Sequence, residues 1–204
     1  MRSTKHLVVG ALCALSATAA SAATVDLTGW TAEGGGGNWV VQPGNDSVLQ
    51  TLNGNPTVFY SDYSAFGNRL SGTLRVQTTG DDDYIGFVVG FNPGDLTSAT
   101  ADYILIDWKQ SNQAAFGCNA DIGLAVSRVT GPIGDNSGAW CHEPVNNVTE
   151  LARGATLGST GWADLTTYQF EIEYTATTFS VSVDGVEQVS LTGSFGDGRF
   201  GFYN

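Results

Sequence analysis

The chain has 204 residues, 42% hydrophobic and 11% aromatic, which is enough apolar content to build a packed core and excludes an intrinsically disordered chain. Twenty acidic residues stand against eight basic ones, and the formal net charge of −12 opposes binding to nucleic acid or to anionic membranes.

Chain order begins with an export signal over residues 1–22. Arg2 and Lys5 precede the apolar stretch Leu7 to Leu15, and Ala20-Ser21-Ala22 supplies an A-x-A cleavage site. The stretch is too short to span a bilayer, so no membrane insertion is expected and the product is read as secreted and extracellular. Cleavage removes two basic residues and no acids, which takes the mature charge to about −14. Residues 23–204 suit one large domain better than two.

Thr24 to Trp30 reads as an opening strand, and Gly34 to Gly37 as a flexible loop. No lysine or helix pattern follows those glycines, so they do not form a phosphate cradle. Short strands are expected at Trp39 to Gln42, Ser47 to Leu52, Thr57 to Tyr60 and Leu70 to Gln77, with Pro, Gly and Asn clusters between them.

The most distinctive stretch follows. Asp81-Asp82-Asp83 runs directly into Tyr84-Ile85-Gly86-Phe87-Val88-Val89-Gly90-Phe91. Alternation places Ile85, Phe87, Val89 and Phe91 on one face and leaves the other, with two glycines, nearly bare. Asp102 to Gln110 repeats the pattern. Three adjacent carboxylates repel one another unless water or a hard cation intervenes, and oxygen ligands of this kind suit Ca²⁺. A solvated acidic turn and a calcium site are both open at this point. Lys109 could pair with an aspartate of the turn.

Two cysteines remain after cleavage, Cys118 and Cys141, and in an oxidising compartment such a pair is expected to form a disulfide. A zinc site built from Cys118, Cys141 and His142 lacks the paired C-x-x-C spacing. Ile122 to Val129 reads as a strand, and residues 134–161 as a long loop in which a ligand pocket could sit. Within it, Trp140 is expected to be exposed and His142 to lie at the surface. Strands return at Tyr168 to Thr175, Phe179 to Val183 and Val186 to Leu191, the last two joined by an Asp184-Gly185 hairpin turn. Glu171 and Glu173 share a strand face and are the one carboxylate pair to weigh for glycoside hydrolysis, although their spacing fits a wet strand face better. The whole reads as all-β, about a dozen strands in two stacked antiparallel sheets.

The run DDDYIGFVVGF followed by DYILIDWKQ resembles the thrombospondin C-terminal domain, whose hallmark is a triple-Asp turn feeding a G-F-V-x-G strand and then a strand ending in Trp-Lys-Gln. The terminal Gly198-Arg199-Phe200-Gly201-Phe202-Tyr203-Asn204 also resembles that family's closing strand, which usually continues further and leaves a C-terminal truncation open. The likeness is sharp over about residues 69–110 and weaker towards the end. One acidic triplet cannot fill a Ca²⁺ shell, so backbone carbonyls, water or another loop must contribute, with Asp62 and Asp102 as candidates. The resemblance itself implies a concanavalin-like jelly-roll β-sandwich with Ca²⁺ at Asp81, Asp82 and Asp83. The function it implies is a non-catalytic recognition or adhesion module whose partner is a glycan or an extracellular-matrix component. The alternatives are a carbohydrate-active enzyme on the same fold and a structural exopolysaccharide-matrix protein.

Overall fold

The structure is a computed structural model that describes residues 23–80, 82–134 and 136–204. The export signal at 1–22 and Asp81 lie outside the described residues. Short strands open the chain: β1 (Thr31–Glu33), β2 (Trp39–Val41) and β3 (Val48–Gln50). The expected opening strand at 24–30 is irregular up to Trp30, whose ring is buried among Phe59, Phe200 and Phe202. Its short alternation reflects packing of a coil rather than pairing.

Longer strands follow: β4 (Val58–Ser64), β5 (Asn68–Arg75), β6 (Tyr84–Phe91) and β7 (Tyr103–Lys109). Next come the small hairpin β8 (Gln113–Ala115) and β9 (Cys118–Ala120), then β10 (Gly123–Val129). The segment read as a long loop holds a short helix, α1 (Asn136–Cys141), and a further strand, β11 (Val148–Arg153). The chain closes with β12 (Thr167–Tyr174), β13 (Thr178–Val183), β14 (Val186–Thr192) and β15 (Arg199–Tyr203).

These strands form a seven-stranded sheet in the order β1-β4-β15-β6-β7-β10-β11 and a four-stranded sheet in the order β14-β13-β12-β5. All pairings are antiparallel among the described residues. This is the expected sandwich, with two extra two-stranded ribbons. Asp184 and Gly185 join β13 to β14 with φ of 50° and 76°, the paired positive values that a two-residue hairpin turn requires.

Between the sheets, Phe87, Val89, Ile104, Ile106, Trp108 and Val126 pack against Phe170, Ile172, Phe179 and Val181. Each buried aromatic or branched side chain contributes roughly 1.5–3 kcal/mol of apolar burial. The outer face of the large sheet is covered as well. Tyr84, Val88, Tyr103, Leu105 and Val129 meet Leu96, Ile133 and Ala139 from the connecting segments. That face is therefore not bare.

Phe91 belongs to this outer cluster rather than to the inner one with Phe87 and Val89. Gly90 has φ of +77°, and the pairing of β15 with β6 shifts register here, so the alternation skips one face. A side chain at Gly90 would meet the Tyr174 hydroxyl at 2.5 Å, which leaves glycine as the residue that fits.

Burial on both faces matters for β7, every residue of which is buried. Its even-numbered residues enter the inter-sheet core. By the two-residue period, Asp107 and Lys109 fall on the outer face with Tyr103 and Leu105. Two charged side chains are thus placed inside a covered layer, where each needs a partner.

Candidate functional site

The register between β6 and β7 sets Tyr84 opposite Lys109, so the lysine lies beside the end of the acidic turn. Lys109 is fully buried. Its Nζ donates to the Asp82 carbonyl at 2.7 Å, to Asp83 Oδ1 at 3.3 Å and to Gln113 Oε1 at 2.6 Å. An ammonium has three hydrogens, and three acceptors meet them. The charge also lies 4.4 Å from the centre of the Trp140 ring, within cation–π range.

Neighbouring elements hold the turn in place. Ser111 Oγ donates to Asp82 Oδ2 at 2.8 Å, Asn53 Nδ2 to Asp83 Oδ2 at 3.1 Å, and Trp162 Nε1 to the Asp83 carbonyl at 3.1 Å. The described part of the acidic turn is thus organised around a cation that belongs to the protein. Among the described residues, no group of three or more His, Cys, Asp or Glu side chains gathers as a metal cage.

Asp62 and Asp102 do not supply the extra ligands expected of them. Asp102 precedes β7 at the end opposite Lys109, roughly 20 Å away at the rise of an extended strand. It forms a two-pronged pair with Arg128, with both distances 2.7 Å. Asp62 lies on β4 beyond Tyr60, towards the end of the sheet where Ser64 and Phe91 both meet Arg199.

A cleft of about 300 Å³ opens beside the acidic turn. Its walls include Asn53, Asp83, Gln113, Phe116, Trp140 and Asn204. Asn204 is fixed there by a pair of backbone hydrogen bonds with Thr57 and by donation from its Nδ2 to the Tyr84 carbonyl at 3.3 Å. Phe116 and Gly117 form the two-residue turn between β8 and β9, with φ of 52° and 87°. The Cys118–Cys141 disulfide, as expected, ties this hairpin to α1. It brings the Phe116 ring edge-on to Trp140 at 5.8 Å. Trp140 is half-buried rather than exposed, because Lys109 and Phe116 cover it.

Sequence reasoning placed a possible pocket in the 134–161 segment but missed the other walls, which come from residues far apart in the chain. One signal was available: a phenylalanine before Gly117-Cys118, in a place where a tight turn calls for Asn, Asp or Gly.

His142 is buried, not a surface residue. Its Nε2 lies 2.7 Å from Asp107 Oδ2, its Nδ1 lies 3.7 Å from Glu150, and its ring stacks on Tyr84 at 5.1 Å. Burial alone would lower its pKa, but the Asp107 and Glu150 carboxylates outweigh that and raise it to about 9. The imidazolium thus answers the buried Asp107 charge. At 7% side-chain exposure, it is sealed from a soluble substrate. Glu171 and Glu173 stand on the four-stranded sheet, where both pair with Arg69. They are not brought to the cleft.

Comparison with known proteins agrees with the architecture. The family model described as the thrombospondin C-terminal region matches residues 36–198. Cartilage oligomeric matrix protein from Rattus norvegicus is 30% identical over 148 residues, covering 67% of this chain and 18% of that protein. Thrombospondin-3b from Danio rerio is 30% identical over 148 residues, covering 67% of this chain and 15% of that protein. The match spans less than a fifth of the length of either relative. Among solved structures, a carbohydrate-binding module from Bacillus subtilis superimposes with a TM-score of 0.57 at 13% identity, covering 87% of this chain and 88% of that one. At that identity the likeness is one of fold.

Proposed function

Because the chain belongs to the thrombospondin C-terminal family, we propose that it is a secreted, non-catalytic, calcium-binding recognition module whose partner is a glycan or an extracellular-matrix component. The observation that carries this reading is the joining of the acidic turn and the cleft in one structural unit, with Asp83 belonging to both. A binding site needs a wall of fixed shape. The disulfide, the Lys109 cluster and the Asn204 clasp fix this one from three directions.

Calcium belongs to the same proposal. Asp81, Asp82 and Asp83 would hold it, with backbone carbonyls or water completing the shell. Lys109 neutralises one of the three charges, and a dication balances the other two. The Asp82 side chain is 40% exposed, so part of the turn is open to solvent. Bound there, calcium would supply rigidity and charge balance to the cleft wall, while the cleft itself makes the contact.

The non-catalytic reading rests on where the acids are. Glycoside hydrolysis generally takes two carboxylates across one bond. The pair Glu171 and Glu173 is engaged with Arg69 on the other sheet, and Asp107 is sealed against His142.

The test is solid-phase binding of the secreted protein to a glycan array and to an extracellular-matrix extract, in calcium and in EDTA, with reducing-sugar release measured in parallel. Calcium-dependent retention without sugar release is the expected result. Release of sugar from any polysaccharide, or retention on neither surface, would overturn the proposal.

A further inference from the structure

The ligand class of the cleft can be argued from its walls, building on the recognition role proposed above. At about 300 Å³ it sits at the lower end of small-molecule sites, a size that suits the end of a saccharide rather than a folded partner. Its polar walls are mainly amides. Gln113 has its Oε1 engaged by the Lys109 ammonium, which turns the amide nitrogen away from that charge. Asn204 is oriented the opposite way: its Nδ2 donates to Tyr84, and its Oδ1 forms the other end of the amide. Those two bonds use the Gln113 acceptor and an Asn204 donor, so the lining residues keep a Gln113 Nε2 donor and an Asn204 Oδ1 acceptor outside them, the combination that hydroxyl groups satisfy.

Charge narrows the class. Asp83 is the charged side chain among the described residues that line the cleft. Lys109 stands behind the wall at 0% exposure. A sulfated or carboxylated ligand would meet that carboxylate with no Lys, Arg or His among the described lining residues, on a chain whose mature charge is about −14.

Phe116 supplies the apolar part. An exposed phenylalanine by itself means little. Here the residue is 55% exposed and its backbone has φ of +52°, in a turn position that Asn, Asp or Gly would occupy with less strain. The β8–β9 pairing and the disulfide hold the ring there, beside Trp140. The arrangement sets an exposed aromatic ring in a cleft whose lining also carries the Asn53, Gln113 and Asn204 amides.

We infer that this cleft binds a neutral saccharide, with one sugar face packed on Phe116 and its hydroxyls hydrogen-bonded by Gln113 and Asn204. Phe116 is the specificity-determining residue of the site, and the Cys118–Cys141 bond is what keeps it in place.

The experiment uses the secreted, disulfide-intact protein in calcium. Immobilised neutral oligosaccharides (glucans, mannans and galactans) are compared with heparin, and the best neutral binder is taken to calorimetry with Phe116→Asn and Phe116→Tyr. Asparagine accepts the positive φ, so that variant should melt at or above the wild-type temperature, which separates lost binding from lost folding. Binding of neutral sugars over heparin is expected, about tenfold weaker in Phe116→Asn and nearly retained in Phe116→Tyr. Neutral-sugar binding that is unchanged in Phe116→Asn would overturn the inference and leave the recognition role standing, as would preference for heparin or binding to matrix protein alone. Binding to nothing would overturn both.

Discussion

Replacing Lys109 by methionine keeps the length of the side chain and removes its charge. The change deletes three hydrogen bonds from a fully buried ammonium, two of them at 2.6 and 2.7 Å. It takes the ammonium donor away from the Asp82 carbonyl, the Gln113 amide oxygen and Asp83 Oδ1, while Asn53 still donates to Asp83 Oδ2. Breaking a buried charge pair from one side costs about 3–5 kcal/mol. Asp82 and Asp83 retain 40% and 29% side-chain exposure, so water recovers part of the loss and the lower end, about 3 kcal/mol, applies. For a domain of this size that corresponds to a fall in Tm of roughly 6–12 °C, measured by calorimetry on the secreted protein. Removing the internal cation also takes one positive charge away from the acidic turn, so the stabilising increment from calcium should be larger in the variant than in the wild type. A variant that melts within about 2 °C of wild type would refute the reasoning, because the ammonium would then be contributing nothing that methionine packing does not.

Three further outcomes follow from the same structure. The His142 pKa, raised from 6.5 to about 9, means that the imidazolium stabilises the fold fully below pH 6.5 and loses that contribution as pH rises through 9. Urea unfolding across that range should show the advantage of wild type over His142→Asn shrinking by up to about 3 kcal/mol; a difference independent of pH would contradict the buried ion pair. Asparagine is chosen because His142 has φ of +46°. Removing the disulfide with Cys118→Ser and Cys141→Ser releases a 23-residue separation and should cost about 3–4 kcal/mol, read as a lower urea midpoint; an unchanged midpoint would mean that the hairpin is held by other contacts. Glu171→Gln and Glu173→Gln should alter no catalytic activity and shift stability by less than about 1 kcal/mol, since both acids are surface partners of Arg69; loss of a hydrolytic activity in either variant would reinstate the enzyme reading.

The central strands were legible because their signals are local. The alternation in Tyr84 to Phe91, the repeat of it before Lys109, and the Asp184-Gly185 turn each need only a few neighbouring residues. The Lys109 pairing was also within reach, since antiparallel register carries the end of one strand to the start of the next. What escaped was decided by distant contacts. Strand β11 carries exposed Thr149, Glu150 and Leu151 on a sheet edge and shows little apolar periodicity. Phe91 changed faces because of a single glycine bulge. His142 looked like a loop histidine, and only folding brings it against Asp107, 35 residues away. The cleft joins Asn53, Gln113, Trp140 and Asn204, and no spacing rule links them.

Calcium titration of the secreted protein, by calorimetry and thermal melting, bears most directly on the proposed function when run beside a variant carrying Asp81→Asn, Asp82→Asn and Asp83→Asn. Binding to the folded state alone should add about 2.7 kcal/mol at a hundredfold excess over Kd, a rise of roughly 5–11 °C, with a much smaller effect from magnesium. The variant should show neither the heat of binding nor the rise, and its retention on glycan or matrix surfaces should no longer depend on calcium. If wild type and variant melt alike with and without calcium, the acidic turn is balanced by Lys109 and solvent, and calcium has no part in the recognition site.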